Sequence, residues 1–225
     1  MDGLLGRDVI GTTLTDTEYH VKVLSLSVVV GRRSWRPEAL VSLLMIDVLP
    51  PETERLVFRR FDTADLEPMY SYQRREDYAQ YAWRGPRTRE ECERALAENS
   101  GLRPWSRDGD HVRFAVSPKG SRELVGEIVL TLTEAEADQV EIGWVVHPDH
   151  AGKGIASEAA RAAIEFAFAS LGAHRVCASL DALNVSSAKV CERIGMRLEA
   201  TLRQSHRQLG EWRDELIYAI LADEL

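Results

Sequence analysis

The segment QVEIGWVVHPDHAGKGIASEAARAAIEFAFASLG, Gln139–Gly172, limits the possible folds more than any other part of this chain. Its first eight residues alternate, which predicts a strand with Ile142, Trp144 and Val146 on one face and Glu141, Gly143 and Val145 on the other. A bulge at Gly143 would change that parity. The turn HPDHAGKG follows, and apolar residues at helical spacing then predict a helix from about Gly152 to Leu171, stopped by Gly172. A strand that passes through a glycine turn into a long helix must bury one face of each against the other. This places the chain among layered α/β folds.

The flanking sequence supplies the rest of the sheet. Pro50-Pro51 marks a boundary, because tandem prolines fit neither a helix nor a strand interior. TERLVFRRF, Thr53–Phe61, alternates as a strand, and Asp62 then offers a helix start. A second helix is expected at about Thr88–Glu98. HVRFAVS, ELVGEIVLTL and QVEIGWVV read as three successive strands. After the long helix, HRVCASL reads as a buried strand. Asn184 caps a helix running to about Arg193, and Gly195 stops it. Strands at about Arg197–His206 and Glu211–Leu221 close a hairpin at Gly210. The expected order is β-α-α-β-β-β-α-β-α-β-β: a mixed sheet with helices on its faces, formed by residues 52–225 behind an extension of residues 1–51.

Composition removes several function classes. No apolar run reaches the roughly 18 residues of a membrane span, and no secretory leader pattern opens the chain, so a cytoplasmic protein without a membrane partner is expected. The formal net charge of −8 disfavours nucleic acid and suits a cationic partner such as an amine. Cys92, Cys177 and Cys191 have no metal-site spacing, and His147 and His150 read as turn residues; no metal is expected.

The Gly-Lys-Gly turn raises the question of chemistry. A P-loop would place Ser or Thr after the lysine, but Gly154 follows Lys153. A helix N-terminus still offers free N–H groups and the positive end of the macrodipole to an anion. Gly152 and Gly154 admit close backbone approach, and Ala156 keeps the first turn slim. Glycines also serve ordinary strand-to-helix turns, and their spacing alone leaves both readings open.

Taken together, VEIGWVVHPDHAGKGIASEAA, RLVFRRFDTADLEPMY, NVSSAKVCERIGMRLEATLR and GEWRDELIYAIL resemble the GNAT N-acyltransferases, in the subfamily that acetylates ribosomal-protein N-termini (RimJ/RimL-like). The superfamily loop is Gln/Arg-x-x-Gly-x-Gly/Ala, so Ala151 departs at its first position. The resemblance spans about Glu52 to Leu225. It implies an acetyl-CoA-dependent N-acetyltransferase in which a primary amine, on a peptide or a small molecule, attacks the thioester directly in a ternary complex. It also implies a monomer or homodimer. Implied cofactor contacts are Ala151, Gly152, Lys153, Gly154, Ile155 and Ala156 for the pyrophosphate. Trp144, Val145 and Val146 would lie along the pantetheine, with a Val146 N–H for the carbonyl oxygen, and Asn184 and Ser187 would stand at the thiol end. Ser187 is the candidate acid for the leaving thiolate, although Asn184 also fits a simple cap and Ser187 a solvated position. Glu141 is the candidate base, with Tyr218 a second. Cys191, one turn beyond Ser187, reads as a packed thiol.

An α-amine, with a pKa of about 7.7–8.0, is on the order of one-seventh neutral at pH 7, whereas a lysine ε-amine needs roughly 3–4 kcal/mol more help. A lightly equipped site therefore favours a low-pKa amine. Tyr70, Tyr72, Trp83 and Trp212 are candidates for the acceptor pocket or for core. Residues 1–44 match nothing in the family and are expected to come from a misassigned upstream start, or to be a poorly ordered extension or a small β-appendage. A non-catalytic acyl-CoA sensor on the same fold is the alternative reading.

Overall fold

The computed structural model describes Met45–Ile46 and residues 48–225 except Trp83. The expectations for residues 1–44 and for Trp83 lie outside the described residues. Met45–Ile46 pair antiparallel with Arg103–Pro104, and Val48 packs against the main core, so the described fold takes in residues ahead of Glu52.

Seven strands form the main sheet: β1 (Leu56–Arg59), β2 (His111–Pro118), β3 (Gly126–Glu134), β4 (Gln139–Val146), β5 (Arg175–Asp181), β6 (Arg197–Gln208) and β7 (Glu211–Leu221). Their order across the sheet is β1-β2-β3-β4-β5-β7-β6. Only β4 and β5 run parallel, because α4 (Ile155–Leu171) crosses over between them. The other neighbours are antiparallel. The remaining helices are α1 (Leu66–Gln73), α2 (Glu76–Ala79), α3 (Arg89–Asn99) and α5 (Val185–Arg193). The mixed α/β class and the element order are as expected, with α2 added between the first two helices. Its four residues are one turn, too short to leave a periodic pattern.

Local chemistry accounts for the boundaries. Asp62 accepts from the Ala64 N–H at 2.8 Å while its own N–H donates to Asp65 at 2.9 Å, a capping box that starts a short 3-10 turn leading into α1. Arg59 grips both oxygens of Asp65 at 2.6 Å, which ties this turn to β1. Thr88 and Glu91 form a second capping box at α3. Leu209 and Gly210 both have positive φ, as a two-residue hairpin turn between β6 and β7 requires.

The two faces of the sheet are covered differently. Val112, Phe114, Ile128, Leu130, Val140, Ile142, Val176 and Ala178 pack against α4 and α5 in one core. Alanines 159, 160, 163 and 167 let α4 lie close on the sheet. On the opposite face a smaller cluster of Phe61, Met69, Tyr72, Cys92, Leu96, Ala115 and Leu124 sits under α1 and α3, with Val145 against it. Buried among these residues, Glu127 accepts from Arg113 at 2.8 Å, from Gln73 at 2.7 Å and from the Tyr72 hydroxyl. Burial pushes the Glu127 carboxyl up, but Arg113, Tyr72 and Gln73 outweigh this and hold it below its usual value.

Candidate active site

Strands β4 and β5 separate soon after they begin. They pair only from Gln139–Glu141 to Arg175–Cys177, and no ladder joins them beyond Glu141. The edge of β4 facing this fork is set by its other neighbour. The His147 N–H donates to the Val125 carbonyl at 2.9 Å, so that edge faces β3. Backbone direction alternates along a strand, so the N–H groups of Trp144 and Val146 point the other way, toward the fork. The pairing of β3 with β4 is regular from Gly126–Val146 to Leu132–Val140, with no bulge at Gly143. Glu141, Gly143 and Val145 therefore share one face, and Ile142, Trp144 and Val146 the other.

Because β4 and β5 are parallel, both carboxyl ends lie at the mouth of the fork. So do the N-termini of the helices that follow them, α4 and α5. Crevices outside the carboxyl ends of parallel strands are common ligand sites. At α4, Gly152 and Gly154 have φ of +75° and +79°, a conformation that strains any residue with a β-carbon. A Cβ on Gly152 would meet nothing within 4 Å, so the loop faces open space. Gly154 caps the helix without a side chain, and the first intrahelical bond runs from the Glu158 N–H to the Gly154 carbonyl. The N–H groups of Ile155, Ala156 and Ser157 therefore lack an intrahelical acceptor. At α5, Asn184 Oδ1 accepts from the Ser187 N–H at 3.1 Å and from Ser186 Oγ at 2.8 Å, so Asn184 is an N-cap, and Ser187 is partly exposed beside it.

Glu141 projects from the face opposite α4 and α5. Burial, and then the Glu215 charge, raise its carboxyl above the usual value. Glu215 is paired with Asp181 in the sheet and accepts from Ser205 at 2.9 Å. Asp181 is buried, and its Oδ2 makes no hydrogen bond; His206 Nε2 lies 3.6 Å from it. Tyr218 is 4% exposed and sits in the main core under α5, on the other face from Glu141. Those two residues cannot serve the same proton. Cys191 is fully buried, and desolvation pushes its thiol up to about 12.

Of the aromatic candidates, Tyr72 is buried and bonded to Glu127, Tyr70 packs at the edge of the smaller cluster, and Trp212 is exposed under Arg207. A separate cleft of about 330 Å³ between the Asp62 turn and the His147–His150 turn contains none of the predicted site residues. Among the described residues no cluster of His, Cys, Asp and Glu is arranged for a metal, and no helix is long and apolar enough to cross a membrane.

Sequence reasoning missed a brace on the Gly-Lys-Gly loop. Glu158, in the first turn of α4, accepts from Thr53 Oγ1 at 2.5 Å, from the Arg55 N–H at 3.0 Å and from Arg55 Nε at 2.7 Å. Arg55 Nη1 also donates to the Lys153 carbonyl at 3.1 Å. The TERL segment was visible as a strand start, but nothing in one sequence links it to residue 158.

A forked parallel pair with a glycine-turned helix N-terminus at its mouth has clear relatives. The sequence matches the family model described as "Acetyltransferase (GNAT) domain" over residues 55–197. It is 33% identical over 172 residues to "Uncharacterized N-acetyltransferase YnaD" of Bacillus subtilis (strain 168), covering 76% of this chain and 96% of that protein. The crystal structure of an acetyltransferase (GNAT family) from Bacillus anthracis is 34% identical, with a TM-score of 0.69, covering 80% of this chain and all of that one. Mycobacterium smegmatis RimJ, solved in complex with CoA-disulfide, shares the fold at 22% identity and a TM-score of 0.62, covering 78% and 90% of the two chains. Sequence and architecture agree: this chain belongs to the GNAT acetyltransferase family, and it is an acyltransferase.

Proposed function

We propose that the protein transfers acetyl from acetyl-CoA to a primary amine by direct attack in a ternary complex. The observation that carries this reading is the fork between β4 and β5, with unpaired backbone donors on one side, helix N-termini at its mouth and a half-buried carboxylate at its base. The residues present fit acetyl-CoA. The loop from Ala151 to Ala156 offers backbone N–H groups to the diphosphate, with open space over Gly152. The free edge at Trp144–Val146 suits an extended amide chain such as pantetheine, which pairs with it as an added strand does.

Acetyl-CoA supplies the acyl group and a thiolate leaving group, and the chain's residues provide the rest. Glu141 lies five residues, roughly 16 Å of strand, from Val146, so it takes the proton that the amine must lose through a chain of waters; its raised pKa makes it a better base than a free carboxylate. The Val146 N–H faces the developing oxyanion, a type of contact worth about 3–4 kcal/mol in well-built sites. Ser187, held at the first turn of α5 by Asn184, donates to the leaving sulfur. We assign no proton-transfer step to Tyr218, which is 4% exposed and packs on the face opposite Glu141. With one carboxylate as base, the site suits an amine of low pKa, such as a peptide α-amine, of which about one-seventh is already neutral at pH 7.

The test is thiol release from acetyl-CoA with a panel of amines that includes α-amino peptides and simple alkylamines. Turnover that is higher for low-pKa amines is expected. Calorimetric CoA binding with no turnover on any amine would overturn the reading in favour of a sensor. Failure to bind CoA would overturn both.

A further inference from the structure

We propose that Arg55 is a binding and positioning residue for the phosphates of acetyl-CoA: it cancels the charge of Glu158 at the α4 N-terminus and presents its spare N–H donors to the diphosphate. This rests on the acetyl-CoA reading above. The loop's own side chains leave a gap that Arg55 fills. Ala151 has no donor, and Lys153 Nζ is turned back to donate to the Asp149 carbonyl at 2.9 Å. Glu158 puts a carboxylate in the first turn of the helix whose N–H groups form the cradle. A carboxylate there favours the helix dipole but opposes a second anion.

Arg55 reaches this place from the residue before β1. Its Nε and Nη2 hold Glu158 Oε2 at 2.7 and 2.5 Å, and its Nη1 holds the Lys153 carbonyl at 3.1 Å. A guanidinium has five N–H donors. These three bonds leave about two of them unused. The guanidinium is within reach of the loop and of solvent: Nη2 is 3.4 Å from where a Cβ on Gly154 would stand, and the side chain is 53% exposed. Burial pushes the Glu158 carboxyl up, but Thr53 and Arg55 outweigh it, so the group stays charged and needs a counter-charge when an anion arrives. A planar fork that already grips a carboxylate is also suited to phosphate oxygens.

A purely mechanical brace and a phosphate-binding group predict opposite outcomes at Glu158. CoA affinity is measured by calorimetry on the full chain, and acetyl-pantetheine, which lacks the phosphates, serves as the comparison substrate. Arg55→Ala is expected to weaken CoA binding about ten- to hundredfold, the equivalent of one to two charge-assisted hydrogen bonds. The kcat/KM for acetyl-pantetheine stays within about twofold. Arg55→Lys, which keeps the charge but loses the fork, falls between them. Glu158→Gln leaves Arg55 fully charged beside the loop and tightens CoA binding, and Arg55→Ala with Glu158→Gln recovers part of the single-variant loss. The proposal is overturned if Arg55→Ala binds CoA within twofold of the wild type, if Glu158→Gln weakens binding as much as Arg55→Ala does, or if acetyl-pantetheine turnover falls in parallel. In each of these cases the wild type still binds CoA, so the acetyltransferase reading survives; loss of CoA binding by the wild type would end both.

Discussion

Replacing Gly154 with valine tests the cradle most directly. Gly154 has a φ of +79°. An L-residue in that left-handed region costs about 1–2 kcal/mol, and a β-branched one is a still poorer fit. Space is not the obstacle: a Cβ would touch only Arg55 Nη2 at 3.4 Å, the far end of a long side chain. The backbone therefore leaves the left-handed region and takes the loop with it. Three first-turn N–H groups, of Ile155, Ala156 and Ser157, then lose their shared direction. At about 0.3–1 kcal/mol for each helix-terminal contact with an anion, the loss is about 1–3 kcal/mol. That corresponds to roughly a 5- to 150-fold weaker Kd for CoA. Gly172→Val is the control. It places the same strain at the other end of α4, with φ +73° and nothing within 4 Å, away from the fork. Both variants should lose a few degrees of Tm, at about 2–4 °C per kcal/mol for a domain of this size. Only Gly154→Val should lose CoA affinity in calorimetry. Equal CoA affinity in the two variants would refute the cradle, because strain alone would then explain everything the glycine does.

Glu141→Gln should lower kcat by about 10²–10⁴-fold with little change in CoA affinity. The wild-type acid limb should lie above the roughly 4.3 of a free glutamate, since burial and Glu215 raise Glu141, and it should vanish in the variant; a limb that persists assigns the base elsewhere. Ser187→Ala should lower kcat more than it raises KM for acetyl-CoA, and the reverse pattern would make Ser187 a binding residue only. Glu127→Ala leaves the partly buried Arg113, and the buried Tyr72 and Gln73, without their acceptor and should cost about 2–3 kcal/mol in denaturant unfolding. Because the folded pKa of Glu127 is lowered, its contribution is present above about pH 4.3 and is lost as pH falls through the folded value; a variant whose stability shows the same acid dependence as the wild type would contradict this.

The strands were legible where one face of the sheet is buried and the other is not. Gln139–Val146 alternates because its even residues meet α4 while its odd residues do not. The capped starts at Asp62, Thr88 and Asn184 were legible because a side chain three or fewer residues away makes the cap. What stayed hidden depends on pairing between distant segments. Nothing in QVEIGWVV says that its contact with β5 ends at Glu141; the divergence of two strands is a property of the sheet. Likewise, Tyr218 reads as a plausible proton carrier on the last strand until the register with Ala178 and Leu198 turns it into the core.

The brace on the loop shows why site residues escape a single sequence more readily than folds do. A capping interaction spans a few residues, so its two halves appear in one window of sequence. Thr53 and Arg55 are each more than one hundred positions from Glu158, and each alone reads as an ordinary exposed or terminal polar residue. Only the β1-to-α4 packing brings them together. On the proposal that Arg55 binds phosphate, the same packing would compensate for Ala151: a guanidinium from the residue before β1 bonds the loop at the Lys153 carbonyl, while Lys153 itself is turned back to Asp149. If that is the physical reason, an arginine placed at residue 151 should restore CoA affinity to Arg55→Ala. Calorimetry on that double variant showing no recovery would mean that the position of the charge, fixed by Glu158 and the Lys153 carbonyl, matters more than its presence.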